Sequence, residues 1–541
     1  MCPVQAKIYA AMVFDQADEY LSVDKRCKTD SSETSEISLV ENKDDLKLLK
    51  IDPELFIIPA GNDNFILYPP SAHSCLLVNC AVIELLENLS AEKKFLLDKR
   101  LLAVINYLIL HGVISFRGSA NPESKDNADE KTDPDDEAAV YRPSNVVLCL
   151  TSDCNLRCTY CFASGGAHPR FMDESILRHA IDFILANAAD KNKKYAGILF
   201  HGGGEPMSAF PLLKSAVEYA RAEASKLKLE CHFGIGTNLC YGVERLNYLI
   251  DNFQEATISM DGPKHIHDRQ RPMANGAGSF DLIAKNLREL DKHGFHYTIR
   301  STITRYGLDQ MNEIVKFFLT NFSARSYQLE PLIVFDSKHD IKGREKDLTH
   351  GVGYDEFFDA FIKAREVALE LGKDILTCSS NLFDFRKIFC GALHDNFYVT
   401  PEGNVSMCAE VLELDDPLAD YFIVGKYDRE KSIFSFNTEK IRLLQKRSIK
   451  NIERCKKCFA KYQCGGLCPL KQIRMGAGLM DTEDVSRKQC ERIRGIIKMK
   501  LTELLSHPES QKNEEDYIKL GHPESLTTED FDSMEFPLIC P

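Results

Sequence analysis

The stretch Cys154-Asn155-Leu156-Arg157-Cys158-Thr159-Tyr160-Cys161 decides how the rest of the chain is read. Its three cysteines are separated by three and two residues and follow the apolar run Val146-Val147-Leu148-Cys149-Leu150. A short continuous apolar run predicts a buried barrel or sheet strand, so the cysteines fall on the loop leaving its C-terminal end. Thiolates this close together can wrap one face of a cubane iron–sulfur cluster, which normally takes four cysteines. Only three are offered, which leaves one iron open to a small molecule. A structural zinc site would want a fourth Cys or His nearby. His168 is the only local candidate, and the downstream motifs do not fit zinc.

Downstream the sequence alternates. Short apolar runs at 197–200, 231–235, 256–259, 296–301 and 327–333 are interleaved with helix-like stretches near 172–189, 208–227, 242–252, 279–293, 308–322 and 353–371. With 146–150 this predicts six βα units, too few to complete an eight-fold barrel. In parallel barrels the chemistry lies at the C-terminal strand ends. His201-Gly202-Gly203-Gly204-Glu205-Pro206, Gly236-Thr237-Asn238 and Ser259-Met260-Asp261-Gly262 fall at such ends, and Asp268-Arg269-Gln270-Arg271-Pro272 follows. Glycines let backbone approach a ligand closely, and a carboxylate beside them can receive an ammonium.

The spacing of the first cysteines, with Tyr160 as the aromatic residue before the third, resembles the signature of the radical S-adenosylmethionine (SAM) superfamily. The resemblance implies an open six-stranded (β/α)6 barrel of TIM-like kind. It also implies a [4Fe–4S] cluster on Cys154, Cys158 and Cys161 whose fourth iron is chelated by SAM, and reductive cleavage to a 5'-deoxyadenosyl radical. Gly203, Gly204, Glu205 and Pro206 match the motif that holds the SAM amino group. Thr237 and Asn238 match residues around the ribose, with Ser259 and Asp261 as hydroxyl partners. Arg271 matches the position that pairs with the SAM carboxylate, where bidentate geometry favours Arg over Lys. His265 and His267 are read as solvent-facing or structural.

A second set of cysteines closes the chain: Cys390, Cys408, then Cys455, Cys458, Cys464 and Cys468, then Cys490. This resembles the seven-cysteine SPASM domain. The resemblance implies two auxiliary [4Fe–4S] clusters, one on Cys455, Cys458, Cys464 and Cys490, the other on Cys390, Cys408 and Cys468. Cys378 is the candidate for the missing ligand, at a wider spacing to Cys390 than in sulfatase maturases. Zinc ribbons share the Cys-x2-Cys spacing but leave the barrel motifs unexplained.

The N-terminal third is read more coarsely. Residues 1–50 are polar and weakly patterned, and 8–14 are too short and weakly flanked for a signal peptide. Three strands are expected at 55–58, 64–68 and 75–79, helices near 80–90 and 97–111, and a returning strand at 113–116. This order resembles the winged-helix-like recognition element of ribosomal-peptide maturases, which bind a precursor's leader by β-augmentation. The alternative is a small packing domain that binds nothing. The expected division is an N-terminal segment 1–50, a winged-helix-like α+β domain 51–116, an acidic flexible linker 117–141, a radical SAM core 142–375, a SPASM domain 376–495 and an acidic tail 496–541.

Composition is that of a soluble globular protein, 44% apolar and 27% charged. The net charge of −14 is concentrated in the expected linker and tail, and no basic stripe suggests nucleic acid. No run is long enough to span a membrane. Nineteen cysteines in a chain expected to be cytoplasmic point to metal rather than disulfides.

These readings converge on an oxidoreductase that abstracts hydrogen from a ribosomally made precursor peptide and forms a thioether or carbon–carbon crosslink. A reductant such as flavodoxin or ferredoxin is implied. A sulfatase-type maturase making formylglycine is the runner-up; there an Asp follows the cysteine matching Cys408, whereas this chain has Ala409 and then Glu410. A non-catalytic iron–sulfur electron carrier is the alternative of another class.

Overall fold

The buried apolar runs of the sequence form a set of parallel strands, joined by helices whose apolar faces cover them. A computed structural model describes residues 8–13, 40, 45–93, 99–117, 141–163, 165–333, 351–480 and 487–506. The strands are β7 (Asn145–Leu148), β8 (Tyr195–Phe200), β9 (Glu230–Thr237), β10 (Glu255–Ser259), β11 (Tyr297–Ile303) and β12 (Ser326–Pro331). They lie side by side in chain order and pair in parallel. Burial alternates along β8: Ala196, Ile198 and Phe200 are buried, while Tyr195 and Leu199 are exposed. One face therefore packs on the helices and the other lines an open concave lumen.

The sheet does not stop at β7. Strand β13 (Tyr398–Val399) pairs in parallel with β7, and β14 (Asn404–Ser406), β15 (Ile423–Asp428) and β16 (Ile433–Phe436) continue antiparallel. The barrel and the cysteine-rich region share one ten-stranded sheet and one hydrophobic core.

The N-terminal region forms a four-stranded antiparallel sheet in the order β1 (Ile8–Val13), β5 (Ser74–Asn79), β4 (Asn64–Tyr68), β3 (Phe56–Gly61). Helices Cys80–Ser90 and Lys99–Leu110 cover one face, with Leu67, Leu76 and Val78 beneath them. On the other face Ile58, Ile66 and Tyr68 join the main core. β2 (Leu49–Ile51) pairs with β6 (Ile114–Phe116).

Two expectations are corrected. Residues 1–50 carry an edge strand, Ile8–Val13, that pairs with Ser74–Asn79; six residues without turn signals around them gave the pattern too little to stand on. The acidic tail does not begin at 496, because helix Arg487–Ser506 runs through it. Ile493, Ile496, Ile497, Leu501, Leu504 and Leu505 recur at helical spacing and are buried. Most of the expected linker, and the tail beyond Ser506, lie outside the described residues. Among the described residues no helix is long and apolar enough to cross a membrane.

Candidate active site

The motif loops meet at the C-terminal edge of the parallel strands. The glycine run is threaded between the cysteine loop and the C-terminal region. Gly202 (φ +90°) leaves no room for a side chain, since a Cβ would lie 1.5 Å from the Tyr398 hydroxyl. At Gly204 it would lie 1.8 Å from the Asp153 carbonyl oxygen. Gly204 N–H donates to Thr151 O at 2.9 Å and Glu205 N–H to Asp153 O at 2.8 Å, so the two loops are stitched backbone to backbone.

Hydrogen-bond donors approach all three sulfurs. Leu156 N and Asn238 Nδ2 stand 3.5 and 3.8 Å from Cys154 Sγ, Gly165 N 3.5 Å from Cys161 Sγ, and Arg271 Nη1 4.0 Å from Cys158 Sγ. Burial, with the Glu205 charge added, pushes the Cys154 thiol up to about 12. Burial pushes Cys158 up to about 11 against the opposing pull of Arg271. Donors aimed at sulfur favour the thiolate, the form that ligates iron. The donor set therefore fits a cluster held by three cysteines. Among the described residues no three His, Cys, Asp or Glu side chains converge on a single-ion site; a cubane spreads its thiolates over separate irons.

Glu205 is buried and accepts from Thr237 Oγ1 (2.7 Å), Asn238 N (2.7 Å) and Met207 N (3.2 Å). It ties the end of β8 to the end of β9. Burial raises its carboxyl, and these three bonds pull the other way. Pro206 opens the short turn that follows.

Asp261 and Arg271, which the resemblance places around SAM, are paired with each other. Asp261 is fully buried and accepts from Tyr160 Oη (2.5 Å), Gln270 Nε2 (2.7 Å), Arg271 Nε (2.9 Å), Arg271 Nη2 (3.1 Å) and Thr302 N (3.0 Å). With five donors gathered on it, Asp261 positions its neighbours. Burial raises its carboxyl, but the Arg271 charge and the hydrogen bonds from Arg271 and Tyr160 together outweigh this and hold it below the usual carboxylate range. Arg271 in turn spends two nitrogens on Asp261 and turns the third toward Cys158, its guanidinium 5.3 Å from the centre of the Tyr160 ring. A buried guanidinium needs compensating partners, and Asp261 supplies a carboxylate here. His267 is buried between Asp261 N (3.2 Å) and Ser279 Oγ (3.0 Å), and is structural; His265 is exposed beside Gln310. Ser259 is half-buried at the end of β10.

The later cysteines fall into groups. Cys455, Cys458, Cys464 and Cys490 line one cavity, with Arg454 and Arg494 at its wall. Cys390 and Cys408 each feel the charge of Cys468. Cys378 N–H donates to Glu330 Oε1 (2.7 Å) and its sulfur lies 3.7 Å from Gln328 Nε2. Lys471 is the electrostatic neighbour of both Cys378 and Cys468.

Sequence reasoning passed over Tyr398, Gln328, Glu330 and Arg447. Gln328 and Glu330 are polar residues two apart on a strand, a signal for the lumen face that alternation offers. Tyr398 donates to His201 O at 2.5 Å. Fully buried Arg447 donates to Leu479 O (2.7 Å), Leu467 O (2.9 Å) and Gly466 O (2.9 Å). Neither carried a motif.

A parallel half-barrel with three clustered thiols at its mouth defines an iron–sulfur enzyme, and residues 148–318 match the model of the Radical SAM superfamily. Over residues 148–318 the chain carries a radical SAM domain, and it is an enzyme that uses SAM and a [4Fe–4S] cluster; the cysteine-rich region that follows is consistent with a SPASM-like domain. It is 25% identical over 344 residues to a cysteine-type anaerobic sulfatase-maturating enzyme of Clostridium novyi (strain NT), covering 60% of this chain and 87% of that one. It is also 25% identical over 178 residues to a serine-type enzyme of Bacteroides thetaiotaomicron, covering 30% and 40%. In fold it is similar to a hexahistidine-tagged anSMEcpe with bound AdoMet, at a TM-score of 0.54 and 20% identity over 70% of this chain and 99% of that chain. Native anSMEcpe with bound AdoMet and Cp18Cys peptide matches at a TM-score of 0.51 and 19% identity, over 67% and 99%.

Proposed function

We propose that this chain is a peptide maturase that abstracts hydrogen from a residue of a ribosomally made precursor and forms a thioether or carbon–carbon crosslink. When bound, SAM and the three-cysteine cluster supply a 5'-deoxyadenosyl radical; the chain's own residues hold and orient. Cys154, Cys158 and Cys161 hold the reactive cluster, with Glu205, Thr237, Asn238 and Ser259 around SAM. Cys455, Cys458, Cys464 and Cys490 hold one auxiliary cluster, and Cys378, Cys390, Cys408 and Cys468 the other. Electrons come from a flavodoxin or ferredoxin.

The observation that carries this reading is the seat of the N-terminal sheet against the cysteine region. Lys461 Nζ meets Glu54 Oε1 at 2.7 Å, Gln463 Nε2 meets Tyr68 Oη at 2.9 Å, and the His73 ring stacks on Phe385 at 4.4 Å. Lys461 and Gln463 lie three and one residues before Cys464 in sequence. A peptide added to the sheet as a strand would be anchored beside the auxiliary cysteines, with the lumen in reach. Ser74–Asn79 is already covered by Ile8–Val13, so among the described residues the edge strands are β1 and β3. Pro59 has no N–H to offer on β3.

The test uses the product of a short open reading frame beside the gene. The reconstituted enzyme should bind its leader, backbone N-methylation of the leader should abolish binding, and turnover should remove a hydrogen pair from the core by mass spectrometry. Equal binding of methylated and unmethylated leader contradicts strand addition. The second reading, formylglycine formation, draws on the sulfatase-maturating relatives; conversion of a peptide carrying a sulfatase motif would favour it.

A further inference from the structure

The net charge of −14 hides a local reversal. Residues 442–461 carry eight basic side chains against one acid, Glu453. Two of the eight are turned inward, Arg447 onto buried carbonyls and Lys461 onto Glu54. Asn451 N donates to Ser448 O at 3.0 Å, Cys455 N to Ile452 O at 2.9 Å and Cys458 N to Cys455 O at 3.1 Å. The segment therefore winds through consecutive turns into the four-cysteine cavity. Ile449, Ile452 and Cys455 pack together as a small apolar cluster, while Lys446, Lys450, Lys456 and Lys457 are exposed.

Lys456 and Lys457 occupy the turn between Cys455 and Cys458, two cysteines of the cavity wall. Arg454 lines the cavity from the same segment and Arg494 from helix Arg487–Ser506. No carboxylate is among the lining residues. Glu453 is held by Lys456 at 2.6 Å, and Glu491, next to Cys490, by Arg487 at 3.2 Å. Among the described residues Lys446, Lys450 and Lys457 enter no ion pair. The place where four thiols converge is thus rimmed by positive charge in a negatively charged chain.

A cationic rim around a thiol cavity suits a negatively charged protein that exchanges single electrons. Such encounters are small, and complementary charge brings the partners together. Single-stranded nucleic acid would also want aromatic side chains on which bases stack. Within 442–461 none is exposed, Phe459 and Tyr462 being half-buried.

We infer that this rim is the docking surface for an acidic one-electron carrier. The inference rests on the reading of these cysteines as cluster ligands served by an external carrier, and not on which peptide is modified.

The test measures binding of an acidic flavodoxin to the full-length reconstituted enzyme by isothermal titration, at low and high salt. Two rim variants are compared with wild type, Lys446→Glu with Lys450→Glu, and Lys456→Glu with Lys457→Glu. The control reverses two exposed charges on the barrel helix Phe280–Lys292, Lys285→Glu with Arg288→Glu. Wild-type affinity should fall steeply with salt. Each rim pair should weaken binding at low salt about ten- to a hundredfold, and the control pair should leave it unchanged. Equal affinity in wild type and both rim variants overturns the inference while the cluster reading stands. Iron lost from the Lys456 and Lys457 pair leaves the Lys446 and Lys450 pair to decide. If the chain with Cys154, Cys158 and Cys161 replaced by Ala holds no iron, the cluster reading fails and the inference with it. A labelled single-stranded RNA bound more tightly than flavodoxin, and released by the rim variants, gives the rim to nucleic acid and overturns the inference. A wild-type dimer that the rim variants dissolve gives it to a second copy, with the same consequence.

Discussion

The cysteine loop at the barrel mouth holds three thiols among polar groups, whereas the C-terminal cavity holds four, walled partly by Leu467 and Ile493. At the mouth the scaffold is a carboxylate network: Glu205 gathers three donors and Asp261 five, and glycines let the loops touch. In the C-terminal region the nearby scaffold is a single buried guanidinium, Arg447, tied to three carbonyls and close to the charges of Cys468, Cys455 and Cys464. The difference follows from use. A site that leaves one iron for a polar ligand has to be lined with polar groups held in place, while a site closed by four thiolates can be sealed in apolar packing.

The comparison predicts that the two regions fail separately. Gly204→Ala drives a Cβ into the Asp153 carbonyl and should cost the reactive cluster entirely. Iron should fall from about twelve to about eight per chain after reconstitution, with SAM cleavage abolished. Full iron content in this variant would break the claimed dependence of the loop on backbone contact.

Arg447→Met acts on the other region. It strands three buried carbonyls and should destabilise the fold by about 3 kcal/mol, seen in thermal unfolding, with iron lost from the C-terminal sites while peptide-independent SAM cleavage persists. Loss of cleavage as large as that in Gly204→Ala would mean that the regions are one cooperative unit.

The buried histidines of the mouth give a pH signature. His201 and His267 are pushed down from 6.5 to about 4, first by burial. The unfolded chain therefore takes up protons that the folded chain refuses, and stability falls as pH drops from about 6.5 to about 4. The loss is up to about 3 kcal/mol for each histidine. Denaturant titrations should show the slope, and His267→Gln should remove roughly half of it; an unchanged profile contradicts the assignment.

The smallest effect is expected at the seat of the N-terminal sheet. Glu54→Gln takes the charged partner from the buried Lys461 while leaving an amide oxygen that can still accept from it, and should cost about 2 kcal/mol. Burial raises the Glu54 carboxyl, while Lys461 and Tyr462 bring it below 4.5. A loss much larger than this would show that the Lys461 ammonium has no other partner once the carboxylate is gone.

How much of this was legible depended on range. The six barrel strands announced themselves because each is an apolar run between helix-like stretches, a local signal. The three-cysteine loop and the Gly-Gly-Glu-Pro run stood at the strand ends where such a barrel does chemistry. Pairings across long separations were not legible: β13 joins β7 from about 250 residues away, and Ile8–Val13 finds Ser74–Asn79 across more than sixty. Asp261 and Arg271 were both singled out, yet spacing alone did not reveal that each would satisfy the other.

The central claim, that one set of three cysteines does radical chemistry while the others support it, is tested by replacing Cys154, Cys158 and Cys161 together with Ala. The measurement is reductant-dependent 5'-deoxyadenosine by chromatography, alongside iron content. The account predicts no 5'-deoxyadenosine and about eight irons retained per chain. Undiminished 5'-deoxyadenosine in the triple variant would contradict it.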